Sequence, residues 1–317
     1  MGKIIEFKDV GLRYGTKKVV EHLNFEIEQG EIFVLVGPSG GGKTSTLKMI
    51  NALVVPTDGD VYFGEKRIKD YDLQDLRLKI GYVLQQIALF PHMTVQQNIE
   101  LIPELRGWEK TKRHERTTYL LNKVGLSAEK YRNAYPRELS GGEQQRIGIL
   151  RAIAAEPDLI LMDEPFSALD PISRTALQDL ILDIHAELGT TIVFVTHDMN
   201  EALKLGTRIA VVSEGSIIQL AQPDVIKERP ANDFVKSFFG AASYEKQLTV
   251  QNLIDFQGLD EKAEPANEAL SNLTGLSELY ERLASVEHVA ILDENQQFLG
   301  NLTREAMFKF LANKNDQ

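Results

Sequence analysis

The chain has 317 residues, 43% of them apolar and 26% charged, with a formal net charge of −11 and no cysteine. That is room for one large α/β domain and a smaller one; the acidity argues against a general nucleic-acid binder, and the lack of thiols excludes a disulfide framework or a thiolate metal site. No apolar run approaches the roughly 18 residues needed to cross a bilayer, and residues 1–6 lack the apolar region of a signal peptide, so the expectation is a soluble cytoplasmic chain that reaches a membrane only through a partner.

Residues 4–14 and 19–27 alternate apolar and polar positions and read as antiparallel strands joined by a turn at 15–18. The run Ile32-Phe33-Val34-Leu35-Val36 reads as a buried parallel strand, and residues 45–53 have helical spacing. Turn signals at Pro56 and Asp58-Gly59 precede a short strand at 60–63, and 80–84 is a further apolar strand ending at Gln85-Gln86. From about 91 to 138 the periodicity becomes helical and charge-rich, with Leu101, Leu105, Leu120, Leu121 and Val124 as an inward stripe; this reads as an inserted helical subdomain. Residues 158–163 form a second buried strand. A helix at 171–188 starts with Pro and is followed by Gly189. Residues 191–196 form a third core strand, and 208–212 with 216–220 flank Glu214-Gly215 as a hairpin. Strands alternating with helices predict a mostly parallel sheet covered on both faces, an α/β fold. The core pattern ends near 230–240, which divides the chain into domains at 1–240 and 241–317. The latter carries 13 acidic and 6 basic residues, a net of −7, yet keeps apolar periodicity and reads as a small folded domain.

Three stretches carry chemistry. Gly37-Pro38-Ser39-Gly40-Gly41-Gly42-Lys43-Thr44 lies between a strand and a helix, the context of a phosphate-binding loop: glycines turn the backbone N–H groups inward, the helix adds its positive dipole end, Lys43 reaches phosphates and the Thr44 hydroxyl holds Mg²⁺. Asp163 and Glu164 end an apolar strand, placing one carboxylate for the Mg²⁺ shell and a second to polarise water against the γ-phosphate. Leu139-Ser140-Gly141-Gly142-Glu143-Gln144 opens a helix with Ser140 as N-cap and two glycines that let an anion approach.

Taken together, these stretches resemble the motifs of the ATP-binding cassette (ABC) ATPases over about residues 3–240. Residues 37–44 look like Walker A, 139–144 like the signature, 159–164 like Walker B, 167–170 like the D-loop and 196–198 like the switch histidine. The resemblance implies a P-loop NTPase cassette: a mostly parallel core sheet, an antiparallel N-terminal β-subdomain and an inserted helical subdomain. It implies ATP and Mg²⁺ as ligands. Glu164, His197 and Lys43 take catalytic positions. Tyr14 stacks on adenine, residues 37–45 (through Ser45) hold the phosphates, and Thr44, Gln85 and Asp163 serve the metal. Ser140, Gly141, Gly142 and Asp170 belong to the closure of a second cassette over the nucleotide, in a head-to-tail pair with a two-fold axis if the copies are identical. Gly41 stands where the family often has Ser.

Residues 85–95, Gln85-Gln86-Ile87-Ala88-Leu89-Phe90-Pro91-His92-Met93-Thr94-Val95, and residues 230–235 resemble importer cassettes for glycine betaine, carnitine and choline. That implies permease subunits, an extracellular substrate-binding protein or domain, and a place on the cytoplasmic face of the membrane. Amino-acid and other small-solute importers share part of the first stretch and stay open as an alternative; a non-transport ABC ATPase is a more distant one. Residues 286–295 and 298–305 look like the latter half of a CBS motif, with 248–253 as its opening and Thr303 near a ligand position, so 241–317 is expected to be a CBS-like regulatory or dimerisation domain.

Overall fold

The computed structural model describes residues 2–314 apart from 87, 168, 170, 247–248, 260–268 and 294. The chain divides into two compact units, Met1–Lys236 and Ser237–Gln317.

In the first unit, β1 (Lys3–Tyr14) and β2 (Lys17–Glu28) form the expected antiparallel hairpin. Their inward positions include Phe7 and Phe25, whose rings stack at 4.4 Å, with Phe25 stacked in turn on Phe33 at 5.4 Å. Phe33 belongs to β3 (Ile32–Val36), buried at every position, which runs into α1 (Lys43–Ile50). β4 (Asp58–Phe63) and β5 (Lys66–Arg67) complete a four-stranded sheet in the order β2-β1-β4-β5. α2 (Leu73–Leu78), capped by the Asp72 carboxylate, precedes β6 (Ile80–Val83).

The helical stretch comprises α3 (Val95–Leu105), α4 (Lys110–Lys123) and α5 (Ala128–Tyr131). Leu120, Leu121 and Val124 are buried as expected, but Leu105 is 59% exposed. The buried face of α3 runs through Val95, Asn98, Ile99 and Pro103, and Leu105 lies six residues beyond Ile99, on the far side of a 3.6-residue turn. Asn98 sits on that face because its side chain is fully used: Oδ1 accepts from the Phe90 N–H, and Nδ2 donates to the carbonyls of Phe90, Met93 and Thr94.

α6 (Gly141–Ile153), β7 (Leu159–Asp163), α7 (Pro171–Leu188), β8 (Thr191–Thr196) and α8 (Met199–Leu205) follow. Then come β9 (Arg208–Ser213), β10 (Ser216–Ala221), α9 (Pro223–Glu228) and α10 (Asp233–Lys246). The six-stranded sheet has the order β10-β9-β3-β8-β7-β6; all its pairs are parallel except the β9–β10 hairpin. Its register aligns Val36 with Thr196, Asp163 with Val195 and Val83 with Met162, so four strands end together at one edge. That edge is where ligands bind in open α/β sheets.

The second unit contains α11 (Val250–Gln257), β11 (Ala269–Ser271), α12 (Leu276–Ser285), β12 (His288–Leu292), β13 (Phe298–Thr303) and α13 (Arg304–Lys314). β11 pairs parallel with β12, and β12 antiparallel with β13. Leu253, Leu279, Leu283, Val289, Ile291 and Leu302 are among its core residues. The strand–turn–strand–helix at 286–305 is present. Of the stretch at 248–253, the part from Val250 is helical, because Val250, Leu253 and Ile254 have helical spacing and pack one face inward; Leu248 lies outside the described residues. The strand and helix that precede β12 are β11 and α12. Thr303 is the cap of α13, its Oγ1 accepting from the Ala306 N–H at 3.1 Å.

Candidate functional site

The loop 37–44 is shaped by what a side chain would strike. Gly37 has φ 155°, and a Cβ there would lie 1.9 Å from the Val212 carbonyl oxygen. Gly42, at φ 93°, is the N-cap of α1 and provides no side-chain cap, so the first N–H groups of that helix stay available to an anion. Pro38, Ser39 and Gly40 are exposed, Gly41 is buried, and Ser45 is half-buried on the first turn of α1.

Lys43 is 4% exposed and curls back into the loop, its Nζ donating to the carbonyls of Gly37 at 2.7 Å and Pro38 at 2.8 Å. Burial pushes its pKa down, against the pull of Glu164 and Asp163, whose charges favour the ammonium form. Thr44 donates Oγ1–H to Asp163 Oδ1 at 2.8 Å. Burial raises the Asp163 pKa, opposed by that hydrogen bond and by Lys48 and Lys43. Among the described residues no cluster of three or more His, Asp or Glu could hold a metal by itself. The Thr44 hydroxyl and Asp163 carboxylate that do meet are oxygen donors, which suits a Mg²⁺ that also takes phosphate and water ligands; the Gln85 amide is turned to Glu164 through its nitrogen.

Glu164 has φ 44°, the left-handed region that few non-glycine residues adopt. Its N–H is held by the Val195 carbonyl at 3.0 Å. Its Oε2 accepts from Gln85 Nε2 at 3.3 Å and lies 3.1 Å from His197 Nδ1. Three residues singled out in sequence, from the ends of β6, β7 and β8, therefore meet at one oxygen. A cavity of about 60 Å³ beside it is lined by Glu164, Ser167, Arg174, His197, Asp198 and Glu201 among others.

Ser140 caps α6 as expected: its Oγ accepts from the Glu143 N–H, and Glu143 Oε2 accepts from the Ser140 N–H at 2.7 Å. No hydrogen bond among the described residues links Ser140, Gly141 or Gly142 to the 37–44 loop within this chain. Tyr14 is 59% exposed at the end of β1. Asp170 lies outside the described residues.

Several supporting residues carry no sequence signal. Tyr131 donates its hydroxyl to Glu143 Oε1 at 2.7 Å, and with Ser140 it holds the Glu143 pKa low. Gln145 Nε2 donates to the Pro165 carbonyl at 2.7 Å, tying α6 to the segment after β7. Glu201, buried on α8, accepts from Thr196 Oγ1 at 2.5 Å, while the same hydroxyl accepts from the Asp198 N–H; only its position four residues after His197 marks it.

Comparison with known proteins gives a consistent result. Residues 20–167 match a family model described as ABC transporter. The chain is 50% identical over 247 residues to the glycine betaine/carnitine/choline transport ATP-binding protein of Bacillus subtilis, covering 78% of this chain and 63% of that protein. It is 48% identical over 231 residues to the osmoprotectant import ATP-binding protein of Salmonella typhimurium, covering 73% and 60%. It is 42% identical over 262 residues to the glycine betaine uptake system ATP-binding protein of Escherichia coli, covering 82% and 85%. A solved dimeric ATP-binding cassette in a post-hydrolysis state, bound to ADP and Pi, is 33% identical with a TM-score of 0.62, covering 69% of this chain and 98% of that one. The chain spans about three fifths of the length of the first two of these relatives.

Proposed function

The chain belongs to the ATP-binding proteins of ABC transporters, and from that premise we propose that it is the ATPase subunit that energises import of a quaternary-amine osmolyte. The observation that carries the catalytic part is the meeting of Gln85 and His197 on Glu164 Oε2, beside the Thr44–Asp163 pair. The substrate class rests on relatives named for glycine betaine, carnitine, choline and osmoprotectant transport.

In this reading ATP lies along residues 37–45, with Tyr14 against the adenine. Lys43 exchanges the Gly37 and Pro38 carbonyls for phosphate oxygens. Thr44, Asp163 and Gln85 hold Mg²⁺, which when bound neutralises charge on the β- and γ-phosphates. Glu164 orients the attacking water and takes its proton, and His197 contacts the γ-phosphate. Ser140, Gly141, Gly142 and Asp170 serve the nucleotide on a second copy of the cassette. Closing and reopening of the pair is transmitted near Gln85 to permease subunits, which hold the chain at the cytoplasmic face of the membrane and receive solute from an extracellular binding protein or domain. The β-α-β-β-α order of β11 to α13 supports reading residues 241–317, which lie within the second unit, as a single CBS-like motif that pairs with its counterpart on another chain.

Two measurements test this. Glu164→Gln is expected to retain ATP binding and lose about 10²- to 10⁴-fold in turnover; turnover equal to wild type removes Glu164 from the reaction. Uptake of radiolabelled glycine betaine, choline or carnitine, in cells expressing the chain with its permease, is expected to vanish with Lys43→Ala. Uptake of none of the three by the wild type, with ATPase activity intact, refutes the substrate class.

A further inference from the structure

The direction of each residue on β6 is set by what it touches. Gly81 faces α6: a Cβ there would lie 2.3 Å from the Ala152 carbonyl oxygen. Side chains alternate along a strand, so Tyr82 points to the opposite face, where it packs against the core cluster that includes Leu47 of α1 and Leu161 of β7. Tyr82 is in parallel register with Leu161. Asp163, two residues further along β7, shares that face, and its hydrogen bond to Thr44 of α1 places it there independently.

The Tyr82 hydroxyl is buried and has no hydrogen-bond partner among the described residues. Buried hydroxyls in folded proteins ordinarily have one. Burial first, and then the charge of Asp163, push the Tyr82 pKa upward, so the phenol stays neutral at any working pH. A neutral, unpartnered hydroxyl that feels the Asp163 carboxylate is suited to a ligand-borne partner on that side of the sheet.

We propose that Tyr82 is a positioning residue for the divalent cation of this site, its hydroxyl oxygen accepting a hydrogen bond from a water in the shell of the cation held by Thr44 and Asp163. Mg²⁺ gives up its waters reluctantly, and a metal-bound water is a strong donor in need of a fixed acceptor. Outer-shell partners of this kind orient the direct ligands and tune affinity. The proposal rests on the reading of Thr44 and Asp163 as the cation site.

Tyr82→Phe removes one oxygen and keeps the ring packing. The test is Mn²⁺ affinity of the ADP-bound full chain, followed by electron paramagnetic resonance, alongside ADP affinity in EDTA. Tyr82→Phe is expected to weaken Mn²⁺ binding roughly tenfold and to leave cation-free ADP affinity unchanged. Unchanged Mn²⁺ affinity, or an equal loss of cation-free ADP affinity, overturns the proposal. Thr44→Ala separates it from its premise. If Thr44→Ala weakens Mn²⁺ binding and Tyr82→Phe does not, Tyr82 alone is excluded; if neither does, the cation site itself is wrongly placed.

Discussion

Glu201→Gln is expected to stabilise the first unit at alkaline pH and to have little effect in mild acid. Glu201 is 6% exposed, and its pKa rises from 4.5 to about 7, chiefly through burial and further through Asp198, against the Thr196 hydrogen bond, Arg174 and His197. The folded chain therefore keeps this proton to a higher pH than the unfolded chain does. Between pH 4.5 and 7 the folded state binds more protons, so stability falls as pH rises through that window, and the cost is complete above pH 7. Its size is about 3 kcal/mol, from about 1.4 kcal/mol for each tenfold change in the acid constant, and the attraction of Arg174 Nε at 4.0 Å is already contained in it. Gln cannot ionise, yet its amide oxygen still accepts from Thr196 Oγ1. Urea unfolding followed through the fluorescence of Trp108, the single tryptophan, should show Glu201→Gln more stable than wild type at pH 8 by up to about 3 kcal/mol, shrinking below about 1 kcal/mol at pH 5. A destabilised variant at pH 8, or the same difference at both pH values, would refute the reasoning.

Two further substitutions separate stability from function. Gly37→Ala should destabilise by at least about 3 kcal/mol and abolish ATP binding, since the new Cβ meets the Val212 carbonyl and only a backbone shift relieves it; a normal urea midpoint would refute this. Gly141→Ala should do the reverse. A Cβ there meets nothing within 4 Å and the residue begins α6, so stability should hold or rise by up to about 1 kcal/mol, while in the proposed head-to-tail pair ATPase activity should fall, the methyl group blocking approach of a nucleotide on the second copy. Unimpaired turnover would remove Gly141 from the composite site.

The sequence was most legible where sterics or periodicity leave one solution. The uniformly apolar runs at β3, β7 and β8 permit little but buried parallel strands, and Pro171 with Gly189 brackets α7. The pairing of β4 with β1 was not legible, because short strands carry no record of distant partners. Leu105 went astray because an apolar residue near a helix end fits a stripe until Asn98 and Pro103 are known to occupy the buried face.

The site divides along the same line. Residues 37–44 were readable from chemistry alone, since glycines, lysine and hydroxyl each answer a requirement of phosphate binding. Gln85 and His197 were not. Each is a polar residue at a strand end, and only resemblance marked them. What the structure adds is their convergence: the register of β6, β7 and β8 brings their carboxyl ends to one edge, so residues 79 and 33 positions from Glu164 reach the same oxygen. The supporting residues, Tyr131 on Glu143 and Glu201 on Thr196, lie outside the motifs themselves. Their roles follow from packing rather than from any motif, and a buried carboxyl such as Glu201, costly to stability at neutral pH, calls for a positional reason. Thr196 supplies one: its hydroxyl is shared between Glu201 and the Asp198 N–H, which fixes the backbone on both sides of His197.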